Sequence, residues 1–170
     1  MQRWDLRLLC VVLVAVLAGC AYIPKSVLPE HIKEVAVGIF ENRTFEYGLE
    51  DKLTDAVIEE FILDGRLEVV DQSRADALLT GVITEYLREP LSYDEYDLAE
   101  EYRVYLRVDV TMKDLTTGEV FWTQEGMEGS DSYWVSEKAG IEEVETEEEG
   151  IQRAIDDLAR DILNHAIEGW

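Results

Sequence analysis

The sequence predicts an α+β fold, a two-layer sandwich with two helices packed on one face of a mainly antiparallel sheet of four to five strands. Three observations predict it. The spacing of apolar residues changes to the helical period after Gly48, returns to strand-like alternation between Leu67 and Glu125, and turns helical again from Ile151. Each helical stretch carries one apolar stripe, so both need a surface to cover. A sheet with one buried face supplies that surface.

Lys33 to Phe40 alternates and is rich in valine and isoleucine, which predicts a strand. Glu41-Asn42-Arg43-Thr44 breaks the alternation and is expected to be a loop. Leu49, Leu53, Ala56, Val57 and Phe61 then recur at helical spacing, with Glu50, Asp51, Lys52, Asp55 and Glu59 on the other side. Asp64-Gly65 ends this helix, because glycine tolerates the left-handed conformation just past a helix C-terminus. Leu67 to Val70 is expected as a short strand. Ala77 to Arg88 is expected as a longer one, with Gly81 as a bulge site. The polar, tyrosine-bearing stretch from Pro90 to Glu101 suits a long surface loop.

Tyr102 to Leu115 alternates most clearly. Tyr102, Val104, Leu106, Val108, Val110 and Met112 share one face, and Arg103, Tyr105, Arg107, Asp109, Thr111 and Lys113 share the other. Thr116-Thr117-Gly118 forms a tight turn into an antiparallel partner, Glu119 to Glu125. Gly126 to Gly150 lacks apolar periodicity. It reads as a loop, or as the frayed acidic start of the last helix, because carboxylates favour a helix N-terminus. Ile151, Ile155, Leu158, Ile162 and Leu163 form the stripe of that helix.

The first residues predict an address. Arg3 and Arg7 precede an apolar run from Leu8 to Leu17, as in a secretory signal peptide. The run falls short of the roughly 20 apolar residues that span a bilayer. It ends in Leu17-Ala18-Gly19-Cys20, small residues followed by cysteine, which resembles the lipobox cut by the bacterial lipoprotein signal peptidase. That resemblance implies cleavage after residue 19, with a diacylglycerol thioether and an N-acyl chain on Cys20. The expected division is a signal peptide over 1–19, a lipidated cysteine and spacer over 20–31 holding Pro24 and Pro29, and one domain over 32–170. Cys10 is lost with the signal and Cys20 is modified, so the mature body keeps no thiol for disulfides or catalysis.

Fifteen Lys and Arg oppose 38 Asp and Glu, a formal net charge of -23. A chain this acidic repels nucleic acid and bare anionic headgroups, so membrane attachment must come from the anchor or a protein partner. His31 and His165 stand far apart without a His or Cys at metal-ligand spacing. The Glu142–Glu149 segment lacks the glycine and carboxylate spacing of a calcium loop, and a solvated acidic segment is the better reading. No phosphate loop or nucleophile elbow is present. The candidate contact residues are therefore the basic side chains expected on the outward side of the central strands: Arg88, Arg103, Arg107 and Lys113. Arginine forks suit phosphate groups. The alternative is cross-strand pairing with glutamates such as Glu119 and Glu125.

Ile39-Phe40-Glu41-Asn42-Arg43-Thr44-Phe45, the helix opening Gly48-Leu49-Glu50-Asp51-Lys52-Leu53-Thr54-Asp55-Ala56, Asp64-Gly65-Arg66-Leu67 and Ala75-Asp76-Ala77-Leu78-Leu79-Thr80-Gly81 together resemble the lipopolysaccharide-assembly lipoprotein family, LptE. The resemblance covers roughly Cys20 to Gln124, is weakest from Gly126 to Gly150, and fits the final helix. It implies an outer-membrane lipoprotein facing the periplasm that plugs the LptD β-barrel, assists its assembly and helps deliver lipopolysaccharide. It implies two helices on a four-stranded sheet, no cofactor and no catalytic residues. Ala21 after the lipidated cysteine permits outer-membrane sorting. Asn-Arg-Thr before a helix also occurs in cell-wall-synthase activators of the LpoB type and in secretion pores of the CsgG type. The charged outward side of Tyr102 to Glu125 argues against a lipid-facing hairpin of the latter kind.

Overall fold

The computed structural model describes residues 28–136 and 144–168. The expected signal peptide, Cys20 and most of the spacer lie outside the described residues, as does the stretch 137–143. The described elements follow in the order β1 (Glu34–Val37), β2 (Glu41–Asn42), α1 (Leu49–Asp64), β3 (Glu68–Val69), β4 (Ala77–Tyr93), β5 (Ala99–Asp114), β6 (Val120–Trp134) and α2 (Glu147–Glu168).

The strands form one sheet in the order β3-β1-β4-β5-β6, with β2 also on β4. It has six strands, slightly more than the sequence predicts. β1 runs parallel to β3 and β4, and β2 runs parallel to β4, as the crossover through α1 requires. β5 runs antiparallel to β4 and β6 along long ladders. The helices share one side. Leu53, Phe61, Leu79, Ile83, Leu106, Met112, Ile155, Leu158 and Ile162 are fully buried in a single core between helices and sheet. Burying such side chains stabilises by about 1.5–3 kcal/mol each.

Several boundaries move. The predicted loop at Glu41–Asn42 contains β2, which pairs with Val82 and Ile83. The long loop expected from Pro90 to Glu101 is instead a tight turn, Asp94 to Leu98, between strands that continue on both sides. The Asp94 side chain accepts hydrogen bonds from the amides of Tyr96 and Leu98, each at 2.8 Å, and holds the reversal closed. β6 runs on to Trp134, well into the stretch read as lacking structure. There the helix-side positions are Met127, Gly129, Asp131 and Tyr133, so the apolar alternation is broken for tertiary reasons. A Cβ on Gly129 would come within 2.8 Å of Leu158 Cβ and collide with the Ala154 carbonyl, so glycine lets α2 ride close to the sheet. Asp131 accepts from Arg153 of α2 at 2.7 Å.

The start of α2 is capped rather than frayed. Glu149 accepts from the Thr146 amide at 2.7 Å, and Thr146 Oγ1 accepts from the Glu149 amide at 3.2 Å. Gly81 is not a bulge site. It pairs regularly with Val110, and the missing Cβ makes room for the ring of Phe40. The bulge lies between Ile83 and Glu85 instead.

Candidate functional site

The bulge decides where the candidate arginines point. Before it, Ala77, Leu79 and Ile83 face the helices. After it, as far as Pro90, the even-numbered residues take that side, with Tyr86 opposite Leu106 and Arg88 opposite Val104. Arg88 is therefore not on the outward face as expected. Its guanidinium lies 3.8 Å from the centre of the Tyr102 ring, donates to the Tyr133 hydroxyl at 2.5 Å and pairs with Glu147 at 3.3 Å. Tyr86 donates to Glu147 at 2.6 Å. Burial, and then this hydrogen bond, hold the Tyr86 hydroxyl well above the usual tyrosine range. Burial works against the Arg88 charge, but Tyr133 and Glu147 more than offset it. This cluster bolts the upper part of β4 to the start of α2.

Arg103, Arg107 and Lys113 do lie on the side of β5 away from the helices. Arg107 donates to Glu85 at 2.7 Å and is paired with Glu128, its cross-strand neighbours on β4 and β6. The hydrogen bond to Glu128, and then the charges of Glu128 and Glu85, raise its pKa further. Cross-strand pairing therefore holds Arg107, though with glutamates other than the two expected. Arg103 donates to Tyr105 at 3.3 Å. Lys113 is exposed, and among the described residues it has no ion pair. Six residues separate it from Arg107, about 20 Å along a strand. The four basic candidates thus do not form one patch. Arg103 and Arg107 share a face, Lys113 lies at its far end, and Arg88 is on the other side.

The loop between β2 and α1, which carries part of the family resemblance but none of the basic contact candidates, is a closely hydrogen-bonded surface feature. Asn42 spends its side chain on the loop. Its Nδ2 donates to the Glu46 carbonyl and to Glu50, each at 2.7 Å, and its Oδ1 accepts from the Thr44 amide at 2.9 Å and the Thr44 hydroxyl at 2.8 Å. Hydrogen bonds from its own amide and then from Asn42 hold the Glu50 carboxyl below the usual range. Thr54 Oγ1 accepts from the Phe40 amide at 3.0 Å and ties the approach to the loop onto α1. The loop closes on Gly48, at φ 82°. What this scaffold presents is Phe45 at 101 % exposure and Tyr47 at 91 %. The signal was there: two aromatics in a polar break, belonging to no apolar period.

At the opposite end of the domain, His31 Nε2 meets the buried Asp114 at 2.9 Å. Burial alone would raise the Asp114 pKa. Hydrogen bonds from Thr117, His31 and Thr116 outweigh it and hold the carboxyl at about 2. His165 tilts against Trp122, ring centres 6.1 Å apart. Among the described residues no group of three or more His, Cys, Asp or Glu is placed to hold a metal ion.

The model of the LptE lipopolysaccharide-assembly family matches residues 32–166, nearly the whole described domain. This chain belongs to the LptE family. LptE proteins are non-enzymatic lipoproteins, and this LptE-family chain folds as a two-layer α+β domain. Comparison with curated protein sequences finds no match. Among solved structures the chain is similar to PelC from Paraburkholderia phytofirmans, crystallised as a dodecamer. The identity is 17 % and the TM-score 0.53, over 79 % of this chain and 89 % of that one. It is also similar to the hypothetical protein CT253 from Chlamydia trachomatis, at 11 % identity and TM-score 0.53, over 82 % and 97 % of the two chains. A third is protein XCC0632 from Xanthomonas campestris, at 11 % identity and TM-score 0.52, over 84 % and 88 %. At these identities the likeness concerns the fold alone. Among the described residues no helix is long and apolar enough to cross a membrane.

Proposed function

We propose that this chain is an outer-membrane lipoprotein, anchored through Cys20 on the periplasmic side, that works with an LptD-type β-barrel in assembling and exporting lipopolysaccharide. Its part is structural: a plug and assembly subunit, with no reaction of its own. The observation that carries this reading is the family match across residues 32–166. The lipobox-like Leu17-Ala18-Gly19-Cys20 supports the anchor. A net charge of -23 supports it too, because the body of the protein is repelled by anionic headgroups and needs another hold on the membrane.

Tagged protein purified from native membranes should bring a β-barrel of the LptD kind with it, and depletion should leave lipopolysaccharide in the inner membrane. Recovery without any such barrel sinks the reading. Wall defects and lysis with normal lipopolysaccharide export would move the assignment to a synthase activator of the LpoB type. Cys20→Ala should abolish labelling by palmitate.

Direct lipopolysaccharide contact, where it occurs, is assigned to Arg103, Arg107 and Lys113 on the open face, with Arg88 kept as a candidate only if its contacts to Glu147 and Tyr133 open. A lipid phosphate at Arg107 has to displace Glu85 and Glu128. Exposed pairs of this kind contribute little, so a bidentate phosphate competes. Changing Arg103 and Arg107 together to glutamate should weaken lipopolysaccharide binding and leave the fold intact. Unchanged binding removes both from the site.

A further inference from the structure

Among the described residues β4 is paired on both sides only along its first half. On the side of β1 and β2, its last strand-to-strand hydrogen bond is from the Arg43 amide to the Ile83 carbonyl, at 3.0 Å. From Thr84 to Tyr93, β5 is its only strand partner among the described residues. This leaves about 30 Å of strand with one open edge. Pro90 sits inside it, where the missing N–H is tolerated. An unpaired edge is a template for another strand.

The surroundings of this edge are built. The hydrogen-bonded loop sets Phe45 beside Thr84, Glu85 and Tyr86 at the start of the open stretch, and a shallow groove lies between them. Leu87 is 47 % exposed and Tyr93 is 56 % exposed further along. Charge then selects what fits. The arginines around the edge are engaged locally, Arg43 with Glu41 at 2.9 Å, Arg88 with Glu147, Arg107 with Glu85 and Glu128, and Arg103, opposite Glu89 on β5, with the Tyr105 hydroxyl. Glu46, Glu89, Asp94 and Glu95 have no ion pair among the described residues. A second copy of the chain would bring the same carboxylates to the same place. An anionic bilayer would meet them too, although Phe45 and Tyr47 are suitable in shape for insertion.

We propose that the open edge of β4, with the Phe45–Tyr47 loop at its start, binds an extended polypeptide strand of a partner whose side chains alternate between basic and apolar. Backbone hydrogen bonds to the β4 edge supply the affinity, and the carboxylates with the loop aromatics supply the selection. This goes beyond the reading above and does not depend on which barrel the protein serves.

The test uses the full-length protein in detergent micelles and a capped peptide of about eight residues alternating lysine and valine. Controls carry glutamate in place of lysine, or methyl groups on alternate backbone amides, which remove the strand hydrogen bonds. Fluorescence anisotropy reads affinity and amide hydrogen exchange reads location. The lysine peptide should bind about tenfold or more tighter than either control and slow exchange between Thr84 and Tyr93. Glu89→Lys with Glu46→Lys should reverse the preference for lysine over glutamate. Phe45→Ala with Tyr47→Ala should weaken binding about tenfold with an unchanged circular dichroism spectrum. The proposal is overturned if the methylated peptide binds as well, if no β4 amide is protected at millimolar peptide, or if the loop aromatics instead drive dimerisation or binding to phosphatidylglycerol vesicles. A barrel that still co-purifies after such a result separates this failure from failure of the family role.

Discussion

Arg88 and Arg107 lie on neighbouring strands of the same sheet and live in different worlds. Arg88 faces the helices, stacks on Tyr102 and reaches the first turn of α2. Arg107 faces outward between two exposed glutamates. The same contrast runs along β5 from Val104 to Lys113. Val104, Leu106, Val108, Val110 and Met112 are completely buried on one side, while Arg107 and Lys113 are exposed on the other. The helix side stabilises the domain. The outward side is kept polar, so its residues are free to answer to a partner.

Substitutions should divide along the same line. The largest effect is expected at Leu158, where truncation to alanine should lower the free energy of unfolding by about 2–5 kcal/mol in urea titrations. Gly129→Val should cost about 1–3 kcal/mol or more, because the new side chain meets α2. A cost near zero would show that α2 does not ride on Gly129. Arg88→Met should cost about 1 kcal/mol through its lost contacts with Tyr102, Tyr133 and Glu147. Arg107→Met should leave the unfolding midpoint where it was. Equal losses from the two changes would erase the contrast.

A pH dependence is expected as well. Asp114 is held at about 2 in the folded protein, below the roughly 3.9 of an unfolded aspartate. A depressed carboxyl contributes stability above the unfolded value, and loses it as pH falls from about 4 through about 2. Thermal midpoints should therefore drop over that window, and Asp114→Asn should flatten the drop. An unaltered profile in the variant would place the acid sensitivity elsewhere.

The comparison also explains what could be read early. The core side of β5 was legible because burial on one face imposes a period of two. α2 was legible because its stripe from Ile151 to Ile162 answers to one apolar surface. The continuation of β6 was not, because Gly129 and Asp131 occupy helix-side positions for the sake of α2 and Arg153. The true place of Arg88 was hidden for a related reason. A one-residue bulge at Ile83–Glu85 reverses which side the residues from Glu85 to Pro90 take, and periodicity cannot locate a bulge that no glycine marks.

The sequence by itself determined the class of the fold, the two helices, the inward side of the central strand and the resemblance to LptE, because these rest on local propensity and on burial patterns repeated over many residues. The tertiary structure alone decided the face of Arg88, the glutamates that hold Arg107, the rigid display of Phe45 and Tyr47 and the open edge of β4. Each of these depends on which strand lies beside which, and a single unpaired residue or a loop closed by one asparagine settles it.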